Sequence, residues 1–431
     1  MARTAQAKKK WTVMVYLAGD NNLDSAGAGD LAEMKTVGST RDISVVAQFD
    51  RSGSKRVTNR YFLQKGTRLD EDVVTALGET NTGDPAVLRD FVKWAVTEHP
   101  AQRYMLVIWN HGSGWDDSNL YEGDYFSGAT PPVVRKGKVI SPGRAPAPIA
   151  PVAMGTVRAA FKRGRRSLFG STVSTLVTSR AIAFDDQAKD FLDNIELKRV
   201  LAEIRRTLGR KIDILGFDAC LMSMVEVAYQ IRDAVALTCG SEEEEPGDGW
   251  PYDTILKALA ARPSMAPRAL ADLVVKNYLA SYKPNEGVTF SATDLSAIAP
   301  LATAVNGLGA ALTRALADPA ARGAIVAVRA QVQEYSSPYD QYCDLADLCA
   351  LLARGVKRPD LKRACDTVRA ALDKAVIRAG AKGKRVAHSS GVSIYFPKKT
   401  VSSLYATLDF SRRGAWASFI ANYTKSLGRR R

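Results

Sequence analysis

Met105-Leu106-Val107-Ile108-Trp109-Asn110-His111-Gly112-Ser113-Gly114-Trp115 is the stretch on which the fold turns. An unbroken apolar run leads into a polar loop holding a histidine and two glycines. Such a run, rich in β-branched and aromatic residues, suits a strand buried on both faces of a parallel sheet. Four more runs share the pattern: Trp11–Leu17, Ile43–Phe49, Ile212–Phe217 and Ala234–Cys239. Helical periodicity falls between them, at 26–37, from Pro85 to about Thr97, at 196–208 and at 221–232. Thr82-Gly83-Asp84, just before Pro85, reads as a helix start. Strands alternating with helices predict an α/β fold with a doubly wound, mainly parallel sheet. After about residue 260 the pattern turns mostly helical, at 266–282, 296–316, 318–334, 342–354 and 358–379. Strand-like pieces at Val288–Ala292 and Val392–Phe396 interrupt it.

Ligands of open parallel sheets bind beyond the carboxyl ends of the strands. His111-Gly112 follows the third strand, and Asp218-Ala219-Cys220 follows the fourth. The pattern predicts Cys220 at the N-terminus of helix 221–232, where partial positive charge stabilises a thiolate. A thiolate is a nucleophile, and a nearby histidine can serve as base and then as acid. Gly112 allows close approach of a substrate, so the N–H groups of Gly112 and Cys220 are candidates for an oxyanion hole. Taken singly, Cys220 reads better as a small buried hydrophobe, and His111 as a hydrogen-bonded loop residue. Their joint placement at strand ends favours chemistry. Asp20 lies beyond the first strand and Glu242–Glu245 beyond the fifth, at the same end of the sheet. Asp218 also reads as a helix N-cap, Asp20 as a turn residue, and the four glutamates as a solvated loop. His99, His388, Cys239, Cys343, Cys349 and Cys365 show no metal-ligand spacing, so no metal site is expected.

Several runs together resemble the clostripain family of peptidases. They are 11–23 (WTVMVYLAGDNNL), 108–115 (IWNHGSGW), 216–222 (GFDACLM), 243–250 (EEEPGDGW) and 391–397 (GVSIYFP), in that order. The resemblance covers nearly the whole chain. It implies a caspase-like three-layer α/β/α sandwich, with His111 and Cys220 as the catalytic pair. It also implies cleavage after Arg or Lys, with Asp218 flooring the specificity pocket. An Arg or Lys side chain in a closed slot needs a carboxylate partner, which supports Asp218 and Asp20 as substrate-binding candidates. No cofactor is required by this chemistry, although the resemblance leaves calcium possible. An inactive caspase-like scaffold that binds partners is the rival reading.

The chain has 431 residues, 46% of them hydrophobic, and a formal charge of +15. A single core stops growing at roughly 250–300 residues. The expected organisation is therefore a basic tail at 1–10, a catalytic domain at 11–260 and a mostly helical region at 261–431 that adds strands. Residues 118–183 interrupt the catalytic domain with Pro, Gly, Ala, Ser and Arg and no periodicity. The basic excess sits in the tails and in this insertion, while the remainder is near neutral. A nucleic-acid groove would need its charge on the folded body, so no specific nucleic-acid partner is expected. Protein or peptide substrates with Arg or Lys at the cleavage site are expected instead. Family members are matured by cleavage between the His and the Cys. The insertion offers Arg135, Lys136, Lys138, Arg144, Arg163, Arg165, Arg166 and Arg180 to an enzyme of this specificity. The expected form is a monomer or a self-cleaved two-chain molecule. Five scattered cysteines suit a reducing compartment. No signal peptide or membrane-spanning stretch is read, so cytoplasmic location is the default, with export left open.

Overall fold

A computed structural model describes residues 8–21, 23–53, 57–115, 133–135, 138–140, 168–170, 191–335, 341–412 and 414–428. The strands of the central sheet are β1 (Lys9–Gly19), β2 (Ile43–Arg51), β3 (Thr58–Phe62), β4 (Val73–Gly78) and β5 (Ala101–Trp109) from the first part. Short pairs β6 (Val133–Arg135) with β7 (Lys138–Ile140), and β8 (Leu168–Gly170) with β9 (Phe191–Asp193), follow outside the central sheet. The central sheet resumes with β10 (Ile212–Asp218), β11 (Val235–Gly240) and β12 (Val288–Asp294). Then come β13 (Glu334–Tyr335), β14 (Tyr342–Asp344), β15 (Val376–Lys382) and β16 (Ser393–Tyr395).

The sheet order is β15-β12-β11-β10-β5-β1-β2-β3-β4. Its middle, β2-β1-β5-β10-β11, is wholly parallel. These five are the strands expected from the apolar runs. From Trp11 on, β1 is buried throughout, and the second halves of β5 and β10 are too. Such burial explains why their sequences lack alternation. The chain leaves β1 for β2 on one side and returns to β5 on the other. The β1/β5 boundary is thus a topological switch point, where open α/β sheets bind ligands.

Helices cover both faces, so the three-layer expectation holds. On one face, helices 24–37, 252–261 and 267–281 bury Leu31, Leu256, Leu259, Val274 and Tyr278 against the strands. On the other, helices 85–98, 194–208, 225–231, 298–315, 345–355 and 359–375 share one continuous core. The expected start at Pro85 is realised: the Asp84 side chain accepts from the Ala86 N–H at 2.8 Å. Asp193 and Glu196 form a capping box on helix 194–208.

Some features add to or differ from the expectations. The antiparallel extension β3–β4 and the helices 252–261 and 415–428 had no strong periodic signal. The helix expected to 379 stops at Ala375, where Val376 and Ile377 open strand β15 and pair on the edge with β12. The piece at 392–396 joins β13 and β14 in a separate three-stranded sheet. Finally, the segment Leu295–Ala315 is long and apolar enough to cross a membrane by length and composition. In this fold its Leu301, Val305, Leu308 and Leu312 are fully buried in the core.

Candidate active site

The loops that carry the two candidate residues adjoin because their strands are neighbours. Trp109 stands level with Asp218 across the β5–β10 pair, and the Asn110 N–H donates to the Asp218 carbonyl at 3.1 Å. His111 and Cys220 each lie just past this point. The loops touch through Gly112. A Cβ there would overlap the Cys220 carbonyl oxygen and lie 3.0 Å from the Cys220 nitrogen. Glycine is required by this backbone-to-backbone approach. Asn110 shapes the first loop: its side chain donates to the Ala18 carbonyl at 2.5 Å and accepts from the His111 N–H. Tyr342 secures the loop further on, donating to the Ser113 carbonyl at 2.8 Å. Trp115 anchors it by packing edge-on against Tyr395, with ring centroids 4.7 Å apart.

The second loop differs from expectation. Helix 225–231 begins five residues beyond Cys220, so the nucleophile candidate sits in a tight turn and not in a helical first turn. Helix-end electrostatics fall off within one turn. Leu221 takes φ +65°, a left-handed conformation that costs a non-glycine residue about 1 kcal/mol. The turn is held by the Leu221 N–H on the Glu243 carbonyl at 3.2 Å and the Ser223 N–H on the Ser241 carbonyl at 2.8 Å. The Glu245 N–H donates to Cys220 Sγ at 3.2 Å. Burial pushes the Cys220 thiol up, and the Glu244 carboxylate pushes it further. Burial lowers the His111 imidazole to about 4. Both groups are therefore neutral at pH 7 before substrate arrives.

Asp218 is not a helix cap, since no helix starts within reach. Its carboxyl is buried. It accepts from the Tyr252 hydroxyl at 2.7 Å and the Trp250 N–H at 3.4 Å. Gly249 (φ +55°) passes over it, 3.1 Å from a Cβ that residue would carry to Asp218 Oδ1. Burial raises this carboxyl to about 7, against the hydrogen bond from Tyr252. Two more carboxylates share the neighbourhood. Asp30, from helix 24–37, accepts from Trp109 Nε1 at 2.6 Å and is pushed well up by burial and by Asp218. Glu245 lies against Asp218 and is likewise raised by burial and by that charge. Asp30 was missed in the sequence because it sits mid-helix; a buried aspartate there carries no spacing signal. Asp20 is buried at the end of β1, next to β5 at the switch point.

The four glutamates are not a uniformly solvated loop. Glu242 is buried and accepts from the Gly391 N–H at 2.7 Å. Glu243 is buried and pairs with Arg385 at 2.9 Å. Among the linker residues, Arg135 and Lys138 stand on the paired strands β6 and β7. Lys136, Arg144, Arg163, Arg165, Arg166 and Arg180 lie outside the described residues. Cys365 contacts Cys349 on the neighbouring helix. Among the described residues, no three His, Cys, Asp or Glu side chains are grouped to hold a metal ion.

A parallel sheet between two helical layers, with a histidine and a cysteine ending adjacent strands, defines the caspase-like class of fold. The chain belongs to the clostripain family (peptidase family C11), whose model matches residues 15–124 and 170–423. The unmatched stretch falls inside the 118–183 insertion. Clostripain from Hathewaya histolytica is 27% identical over 280 residues, covering 59% of this chain and 43% of that protein. The match thus spans less than half the length of that curated relative. A secreted C11 cysteine protease from Bacteroides thetaiotaomicron, solved with an irreversible peptide inhibitor, superposes with a TM-score of 0.61 at 21% identity. That match covers 96% of this chain and 99% of that one. An inactive zymogen C11 protease from Parabacteroides distasonis superposes with a TM-score of 0.63 at 19% identity, covering 95% and 99%. These likenesses carry the fold.

Proposed function

We propose that this chain is a cysteine endopeptidase that cleaves after Arg or Lys, with Cys220 as nucleophile and His111 as general base and acid. The neutral state of both groups suits a concerted start: His111 takes the thiol proton as sulfur attacks the scissile carbonyl. His111 then returns the proton to the leaving amine. The N–H groups of Gly112 and Cys220 are assigned to the oxyanion that forms, consistent with the close approach of the two loops. Asp218 floors the pocket for the basic side chain, and Asp20 borders it from β1. The observation that carries this reading is the group of buried carboxyls around Asp218, two residues before Cys220. Asp30, Asp218 and Glu245 are each held above their ordinary range by burial, Asp30 and Glu245 also by the Asp218 charge. Such an arrangement is costly unless a cation enters.

The same specificity would let the enzyme cut its own basic insertion. We assign Arg135, Lys136, Lys138, Arg144, Arg163, Arg165, Arg166 and Arg180 as the candidate cut sites. The substrates proposed are proteins or peptides, acted on by a monomer or self-cleaved two-chain form. No step runs through a metal, and turnover is expected to persist in a chelator. Hydrolysis of fluorogenic peptides ending in Arg, Lys or neutral residues tests the reading. Turnover should require Arg or Lys and vanish in Cys220→Ala. Equal turnover by that variant, or none by the wild type, would sink it.

A further inference from the structure

Cys220 sits in a turn strained at Leu221, and such strain persists only where the surroundings over-determine it. The bonds that do so come from one segment, 241–245. The Leu221 N–H donates to the Glu243 carbonyl at 3.2 Å, the Ser223 N–H donates to the Ser241 carbonyl at 2.8 Å, and the Glu245 N–H reaches Cys220 Sγ at 3.2 Å. The shape of this segment therefore sets where the sulfur lies. Glu243 ties the segment together. Its N–H is shared between Ser241 Oγ at 3.2 Å and Thr289 Oγ1 at 3.1 Å. One carboxylate oxygen accepts from the Glu244 N–H at 2.9 Å, and the other accepts from the Arg385 guanidinium at 2.9 Å. Glu243 is buried, whereas the Arg385 side chain is 61% exposed. Arg385 belongs to the short helix 384–386, between β15 and β16. Its carbonyl accepts from Gln333 Nε2 at 2.9 Å, which seats its backbone. Its guanidinium passes over Gly287, where a Cβ would lie 3.3 Å away.

We propose that Arg385 is a positioning residue for Cys220, acting through Glu243. A buried carboxylate needs a donor for each oxygen, and the charge-assisted bond from Arg385 satisfies the second one. Without the guanidinium, the Glu243 side chain turns to find another donor and takes its loop with it. The bonds to Leu221 and to the Cys220 sulfur then loosen together. A half-exposed ion pair adds little to global stability, so the effect falls on the turn and not on the fold. The Asp218 carboxyl is held separately, by the Tyr252 hydroxyl and the Trp250 N–H, so binding of the basic side chain is spared. The proposal rests on Cys220 being the nucleophile. It extends that reading to a surface residue of the C-terminal region.

Steady-state hydrolysis of an Arg peptide by the full chain carrying Arg385→Gln is the test, with Tm measured beside it. The displacement expected is smaller than the 1 Å that costs about 10²-fold, so kcat should fall about tenfold. KM and Tm should change little. Arg385→Lys, which keeps a charged donor, should recover part of the loss. Glu243→Gln should lower kcat by a similar factor. Adding Arg385→Gln to it should then cost nothing further, because both changes break one contact. If Glu243→Gln does not fold, the Arg385→Lys arm decides. An unchanged kcat in Arg385→Gln, beside an active wild type, overturns the positioning role and leaves the peptidase reading standing. A full second loss on the Glu243→Gln background overturns the route through Glu243. A fall in Tm or a rise in KM that accounts for the lost rate, or no recovery with lysine, overturns the proposal in favour of a merely structural pair. Absence of turnover by the wild type overturns this proposal and the peptidase reading together.

Discussion

Asp218 shows how one position changes meaning with its surroundings. As sequence it reads as a helix cap or as a pocket carboxylate; its burial and the Tyr252 hydroxyl bond, with no helix starting within reach, set the cap reading aside. Its carboxyl is raised to about 7, so it is largely protonated at pH 6 and largely ionised at pH 8. An arginyl substrate needs the ionised form. KM for Arg peptides should therefore fall as pH rises through 7, and Asp218→Asn should abolish both the trend and the preference for basic residues. Steady-state kinetics across pH 5.5 to 8.5 checks this, since a flat KM would contradict it. Gly112 makes a second case. Gly112→Ala forces its Cβ into the Cys220 carbonyl, so the two loops must part. A displacement near 1 Å costs about 10²-fold in rate. We expect that loss in kcat with little change in Tm, measured by single-turnover assay and calorimetry.

At the scale of elements, the loops of the site are braced by the small sheet from the C-terminal region. Ser393 of β16 donates to the Ser223 carbonyl at 2.9 Å, and Tyr342 of β14 holds the Ser113 carbonyl. Glu226 joins helix 225–231 to this sheet. Its Oε1 accepts from the Tyr395 N–H at 3.1 Å and the Tyr405 hydroxyl at 2.9 Å, while Oε2 is buried without a hydrogen bond. Burial raises this carboxyl from 4.5 to about 7. A raised folded-state pKa stabilises the protein below the unfolded value, and that stability is lost as pH rises through the folded value. Stability should therefore decline between about pH 4.5 and 7 on account of this group. Glu226→Gln keeps one acceptor oxygen and removes the ionisation. It should gain at most about 3 kcal/mol at pH 8 and little at pH 4.5, read from urea unfolding at both. Equal effects at the two pH values would refute the assignment. The bracing was not legible in the sequence. The piece at 392–396 was legible as a strand, but the short β13 and β14 give no periodic signal, and their partners lie far away along the chain.

For the whole molecule, the insertion stands in the chain between the His111 loop and helix 194–208, which leads into β10. We expect purified wild-type protein to convert on incubation to two fragments that stay together, while Cys220→Ala stays intact. Electrophoresis with N-terminal sequencing should place the cuts after basic residues of 118–183, and cuts after other residues would argue for a foreign protease. The five parallel strands, the helices between them and the placement of His111 and Cys220 just past the ends of two core strands were determined by the sequence itself. Buried parallel strands must be continuously apolar, and their loops must carry the chemistry. Only the tertiary structure decided that Cys220 sits in a strained turn well ahead of its helix. It alone showed that Asp30 and Glu245 join Asp218, and that β15 closes the sheet edge. Those outcomes depend on which distant side chains share one dry volume. Dehydration and charge repulsion there are set by three-dimensional neighbours, which local sequence does not encode.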